Sequence, residues 1–325
     1  MVGRFFRGLF ILILILAIAG GIAIAFLADP DVRAVELEAQ YATPPSQFVI
    51  LPSGARVHYR NQGSRSGPTL VLLHGSNASL HTWEPWVAQI GDAFHMVSVD
   101  LPGHGLTGPV PGDDYSQEAM AKFVAEFATA IGVERFALAG NSMGGGVAAR
   151  FALIHPERLT HLILVDAGGI QTKTPRDPGL AFTLARTPVI QYLMLYVTPR
   201  NLFEEALKKA FVDDALVTPD MVDRYWKLTR REGNRAASLK RFQLPYDTVL
   251  QDNMGKIATP TLILWGDQDT LTPRDMGEAY NAAIKGSKLV VYKNVGHIPM
   301  EEVAEQSARA VRDFLTPASS PTTPP

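Results

Sequence analysis

A hydroxyl, an imidazole and a carboxylate in line can break an acyl bond. The imidazole takes the hydroxyl proton, and the carboxylate holds the imidazole in the tautomer that accepts it. Gly140-Asn141-Ser142-Met143-Gly144 offers the hydroxyl: it reads G-x-S-x-G and follows the apolar run Phe136 to Ala139. In that pattern the serine sits on a sharp turn between a buried strand and a helix, and its strained backbone projects the hydroxyl beyond the sheet. His297 is the candidate base, late in the chain within Val295-Gly296-His297-Ile298-Pro299, on a loop after an expected strand that ends at Tyr292. The orienting acid is expected from Trp265-Gly266-Asp267-Gln268-Asp269, with Asp269 favoured because two residues beyond the glycine turn carry it toward the histidine. Asp267 is the second candidate, better placed to bond local backbone amides. Asp166, at the end of the preceding strand, is the third.

Attack on an acyl carbon puts negative charge on oxygen, which needs preorganised donors. The Met143 backbone amide at the helix start is one expected donor, and the Ser76 amide in His74-Gly75-Ser76-Asn77 is the other. Asn77 and Asn141 either contact substrate or satisfy loop backbone; the sequence leaves both readings open. His74 reads as structural.

The elements that would hold these residues alternate. Phe48 to Leu51 and Val57 to Asn61 read as strands around the turn Pro52-Ser53-Gly54. Strands follow at Thr69 to Leu73, His95 to Val99, Phe136 to Ala139, Leu159 to Val165, Thr261 to Trp265 and Lys288 to Tyr292. Helices are expected at His81 to Ile90, Ser116 to Gly132, Met143 to His155, Asp275 to Ile284 and Glu301 to Leu315, the second with Ser116 as N-cap. Such spacing predicts a mostly parallel sheet covered on both faces, in a core of residues 47–169 and 255–315. The alternation stops between Val165 and Thr261, which predicts a helical cap over residues 170–254 rich in large apolar groups. Residues 316–325 are rich in Pro, Ser and Thr and read as a disordered tail.

With 46% hydrophobic residues in 325, a large core is within reach, and a net charge of −2 gives no electrostatic footprint for nucleic acid. The absence of cysteine removes disulfides, thiolate metal sites and cysteine nucleophiles together. No histidines are paired at i, i+4, so no metal is expected, nor is any cofactor. Gly103, Gly105 and Gly108 match G-x-G-x-x-G, yet Pro109, Pro111 and Gly112 follow at once and leave no helix start for a pyrophosphate.

Leu9 to Leu27 is an unbroken apolar run preceded by Arg4 and Arg7, which predicts a transmembrane anchor over residues 1–28 with the domain on the non-cytoplasmic side. Ala23-Ile24-Ala25 supplies the alternative, a cleaved signal peptide and a secreted protein. Residues 29–46 read as a Pro-containing spacer. Nothing in the sequence addresses oligomeric state.

Taken in order, His74-Gly75, the Asp100 to Gly105 turn, Gly140 to Gly145, Asp269 and Gly296-His297 resemble the α/β-hydrolase superfamily, over Phe48 to Leu315. The resemblance implies that fold with an inserted helical cap, a Ser142-His297-Asp269 triad and a small-molecule substrate. Serine at the elbow speaks against relatives that use a carboxylate nucleophile. Gly-Asn-Ser-Met-Gly-Gly is similar to the elbow of meta-cleavage-product carbon-carbon hydrolases, which commonly carry tryptophan where Ile298 stands here. The anchor fits membrane-bound monoacylglycerol-lipase-like esterases better. The expected activity is hydrolysis of carboxylic esters with moderately apolar acyl groups at a membrane. Carbon-carbon hydrolysis, perhydrolysis and a non-catalytic binding protein on the same scaffold are the alternatives.

Overall fold

A computed structural model describes residues 2–177 and 179–316. Eight strands form one sheet: β1 Ser46–Ile50, β2 Arg56–Gly63, β3 Thr69–Leu73, β4 His95–Val99, β5 Phe136–Asn141, β6 Leu159–Val165, β7 Thr261–Gly266 and β8 Lys288–Tyr292. Their order across the sheet is β1-β2-β4-β3-β5-β6-β7-β8. β2 pairs antiparallel with both β1 and β4, and all other pairs are parallel.

Successive side chains of a strand point to opposite faces, so a strand covered on both sides must be apolar at every position. In β3, Val71 and Leu73 join one buried cluster, and Leu70 and Leu72 join the other. Helices Gln117–Ala130 and Met143–Ile154 pack with the first cluster, and Glu84–Ile90 and Ala304–Leu315 with the second. Ser116 caps the first of these helices, its hydroxyl accepting from Ala119 N at 3.1 Å. The chain leaves β3 for β4 on one side and later returns to β5 on the other. This reversal opens a crevice at the carboxyl ends of β3 and β5, where open α/β sheets bind ligands.

Among the described residues the interruption between β6 and β7 holds six α-helices: Gly179–Arg186, Ile190–Leu193, Arg200–Ala210, Pro219–Thr229, Asn234–Gln243 and Val249–Asn253. Three expectations need correction. Residues 29–46 are no free spacer: they contain helix Ala34–Tyr41, whose Leu37 is buried with Leu106 and Leu228, and Val32 bridges to Arg231. The expected helix from His81 begins as a 3-10 turn, Leu80–Trp83, and becomes α-helical at Glu84–Ile90. The closing helix is divided, because Val303 leaves helical geometry at φ −130° and ψ 51° between Pro299–Glu302 and Ala304–Leu315. From residue 317 on, the expected tail lies outside the described residues.

A 26-residue helix, Val2–Leu27, stands where the membrane anchor was expected. Part of that span falls on residues 16, 17, 19 and 22–26, whose side chains lie outside the described ones, and among the described residues no helix is long and apolar enough to cross a membrane.

Candidate active site

Ser142 follows β5 at the head of helix Met143–Ile154 with φ 52° and ψ −116°, a conformation that costs a non-glycine residue roughly 1–3 kcal/mol. Backbone bonds hold it there. Ser142 N donates to Val165 O at 3.0 Å, and Ser142 O accepts from Gly168 N at 2.7 Å and Gly146 N at 3.1 Å. The flanking glycines are required by close backbone approach. A Cβ on Gly140 would stand 2.2 Å from Gly144 O, and one on Gly144 would stand 2.3 Å from Leu73 O and 2.6 Å from His74 O.

His297 N donates to Ala210 O at 2.7 Å, and Gly296 N donates to the Glu302 carboxylate at 2.7 Å, so the loop is tied to the insertion and to the short helix after it. His297 Nδ1 and Asp269 Oδ2 are 2.7 Å apart in a buried pair. Asp269 also accepts from Leu271 N at 2.8 Å and Thr272 N at 3.0 Å through Oδ1, and from the Thr272 hydroxyl at 2.5 Å through Oδ2. Burial pushes the Asp269 carboxyl up, but His297 and the Thr272 donors outweigh it and hold the group below the usual carboxylate range. With Nδ1 directed at a carboxylate, Nε2 is free to accept a proton.

The structure separates the three candidate acids. Asp267 Oδ1 accepts from Asn294 N at 2.7 Å, the backbone role foreseen for it, although the amide is on a distant loop. Asp166 is fully buried and accepts from Gly266 N at 2.9 Å. Burial, then the nearby Asp269 charge, pushes its carboxyl well above the usual range, so it stands as a neutral acid beside the Asp269 carboxylate. Atoms of Asp166, Asp269 and His297 lie within 4.8 Å of one another, a grouping of metal-ligand types in which Asp269 and His297 are engaged with each other and with Thr272.

Among the described residues the Ser142 hydroxyl and the backbone amides of Met143 and Ser76 make no hydrogen bond, which leaves one hydroxyl and two N–H donors uncommitted. The Ser76 hydroxyl does have a partner, Arg241 Nη2 at 2.5 Å. Burial, then Arg186, lowers the Arg241 guanidinium to about 10. Asn77, at φ 57°, has an uncommitted side chain. Asn141 does not: its amide nitrogen donates to Val165 O at 3.2 Å and to His297 O at 3.1 Å. The backbone alternative is therefore met, and because Asn141 also lines the cavity the substrate contact is compatible with it. His74 is structural, accepting from Leu101 N at Nε2 and meeting Gly75 O at Nδ1, and burial keeps it neutral. Asp100 anchors the turn beneath, bonded to His58, Leu80 N and Leu106 N.

Ser142, His297, Ser76 and Asn77 share the wall of a cavity of about 150 Å³. Most of its other lining residues come from the insertion, among them the apolar Phe182, Leu207 and Phe242. A space of that volume accommodates an apolar group of about six carbons. Thr272 and Arg241 were not foreseen from the sequence. Thr272 had a readable signal, a hydroxyl three residues after an acid and just before Pro273, the spacing at which a side chain and a turn close on each other. Arg241 had none.

This site stands at the carboxyl edge of a sheet whose order and insertion define a class. A family profile described as alpha/beta hydrolase fold matches residues 68–303, and the chain belongs to that family. It is 29% identical over 289 residues to the 2-hydroxy-6-oxononadienedioate/2-hydroxy-6-oxononatrienedioate hydrolase of Paraburkholderia xenovorans, covering 83% of this chain and 95% of that protein. It is also 29% identical over 270 residues to the monoacylglycerol lipase abhd6-A of Xenopus laevis, covering 81% and 80%. Among solved structures it is similar to a membrane phospholipase A, described as a bacterial virulence factor, with TM-score 0.70, 29% identity and coverage of 95% of this chain and 97% of that one. With hydrolases among its relatives and a hydrolase fold, the chain is a hydrolase.

Proposed function

We propose that the chain is a membrane-anchored serine hydrolase of carboxylic esters with moderately apolar acyl groups. Ser142 Oγ attacks the ester carbonyl while His297 Nε2 takes its proton, and Asp269 stabilises the imidazolium that forms. The Met143 and Ser76 amides receive the oxyanion. On collapse of the tetrahedral intermediate the C–O bond to the alcohol breaks, the alcohol leaves with the proton from His297, and an acyl-Ser142 ester remains. Water, deprotonated by His297, then attacks that ester and releases the acid and Ser142.

The observation that carries this reading is the buried His297 to Asp269 pair at 2.7 Å opening onto the same apolar cavity wall as the strained Ser142. The anchor reading is supported by the apolar run Leu9 to Leu27, by exposed side chains such as Phe5 and Phe10, and by the likeness to a membrane phospholipase A across 95% of the chain. The experiment is hydrolysis of a p-nitrophenyl ester panel by the full chain in detergent micelles, beside Ser142→Ala. Turnover lost in the variant is the expected result, and equal turnover in both overturns the mechanism. Retention in the membrane pellet after carbonate washing tests the anchor; release into the wash refutes it and favours the secreted alternative.

The likeness to a dienedioate hydrolase favours carbon-carbon hydrolysis as the second reading. Loss of the yellow absorbance of a ring-cleavage product, without ester turnover, would favour it, and peroxide-dependent turnover would favour perhydrolysis. A folded chain that no fluorophosphonate probe labels would be a binding protein instead.

A further inference from the structure

The chain that leaves helix Val2–Leu27 does not run to the sheet; it is woven into the insertion. Asp29 N donates to Tyr196 O at 2.7 Å, Val32 N donates to Arg230 O at 2.7 Å, and Glu232 N returns to Val32 O at 2.9 Å. The Arg230 guanidinium donates to Pro30 O at 2.8 Å. At the centre of this strap is an ion pair that crosses 204 residues of sequence. Arg235 donates to Asp31 Oδ1 from Nε at 2.9 Å and from Nη2 at 2.7 Å. Its third nitrogen, Nη1, donates to the Thr198 hydroxyl at 3.1 Å.

Arg235 and Thr198 both line the catalytic cavity, and Arg235 is only 7% exposed. A guanidinium in a mostly apolar wall is costly unless it is paired. Among the described residues its carboxylate hydrogen-bond partner is Asp31, from the N-terminal segment. We infer that Asp31 is a positioning residue for substrate binding: as the counter-ion of Arg235, it holds that side chain against the wall and keeps the cavity fit for an apolar group. The membrane-proximal strap is thereby part of the substrate pocket. The acyl-binding half of this inference rests on the ester hydrolase reading; the strap does not.

The test uses the full chain in micelles with Asp31→Asn, Arg235→Met and the double variant. Without its counter-ion Arg235 must recruit water or turn into the cavity, and because Asp31 is itself partly exposed the expected effect is moderate, about a fivefold to tenfold rise in KM for p-nitrophenyl hexanoate. The value of kcat should stay within about twofold, since Asp31 touches neither the nucleophile nor its base. In the double variant the uncompensated charge is gone, so KM should return to within about twofold of wild type. A merely structural loss would not be rescued by deleting the arginine.

Hydrogen exchange reads the strap without any ester turnover. Asp31→Asn should speed exchange of the amides of Val32 and Glu232, and Arg235→Met, which removes the same ion pair from the other side, should do so too. An unchanged KM and unchanged exchange in Asp31→Asn overturn the proposal, as does a double variant as impaired as Asp31→Asn. If wild type turns over no ester, the ester hydrolase reading fails, and the exchange result alone decides the strap.

Discussion

Replacing Asp269 by asparagine tests the site at its most constrained atom. The side chain keeps its shape, and its carbonyl can still accept from Leu271 N and Thr272 N, which bond Oδ1 at 2.8 and 3.0 Å. The amide group then faces His297 Nδ1 across the 2.7 Å gap. Two N–H donors cannot share that gap, so the imidazole adopts the tautomer with its proton on Nε2, where it cannot accept from Ser142. Loss of this orientation costs about 10⁴-fold in kcat in serine-histidine-aspartate enzymes, or roughly 5.5 kcal/mol of barrier. Asp269 does not line the cavity, so KM for p-nitrophenyl hexanoate should hold within about threefold. Asp166 is the control. Its neutral, fully buried acid is mimicked by an amide, so Asp166→Asn should stay within about threefold of wild-type kcat. Stopped or steady-state assays of the two variants decide the matter. If Asp269→Asn retains a tenth or more of the activity, or if Asp166→Asn is the one that fails, the orienting acid has been misassigned.

Further outcomes follow from the same coordinates. Ser142→Ala should abolish fluorophosphonate labelling while leaving a folded protein, and labelling that persists would place the nucleophile elsewhere. Gly144→Ala would put a Cβ 2.3 Å from Leu73 O, where only backbone can yield, so about 1–3 kcal/mol of stability should be lost together with most activity; a melting temperature equal to wild type would refute the packing argument. Burial pushes the Glu301 carboxyl up to about 7, against bonds from Thr82 and Tyr225. The folded state therefore holds a proton from about pH 4.5 to 7 that the unfolded chain has released, and stability falls as pH rises through that window and levels off above it. Glu301→Gln should remove that slope and gain about 3 kcal/mol relative to wild type at pH 8. Parallel melting curves of the two proteins from pH 5 to 8 would contradict it.

The sheet and the tight turn at Ser142 were legible in the sequence because their causes are local. Parallel strands buried on both faces must be apolar throughout, as in Leu70 to Leu73 and Phe136 to Ala139, and a turn as tight as that at Ser142 admits only glycine where backbones meet. Chain order after the nucleophile then pointed to His297. The choice among Asp166, Asp267 and Asp269 was not local, since all three leave neighbouring strand ends and only the path of the β7 and β8 loops sets which one reaches the imidazole. For Asn141 both a substrate contact and a backbone tie were open in the sequence, and the tie to two carbonyls, one of them 156 residues away, is a matter of tertiary structure. The strap went further: residues 29–46 read as a spacer because nothing near them in sequence is their partner. Asp31 meets Arg235, and Leu37 meets Leu106 and Leu228, only when the insertion folds back over the sheet. Periodicity and turn chemistry are written into short stretches of chain, whereas the pairing of a buried charge depends on which distant segments the packed core brings within 3 Å.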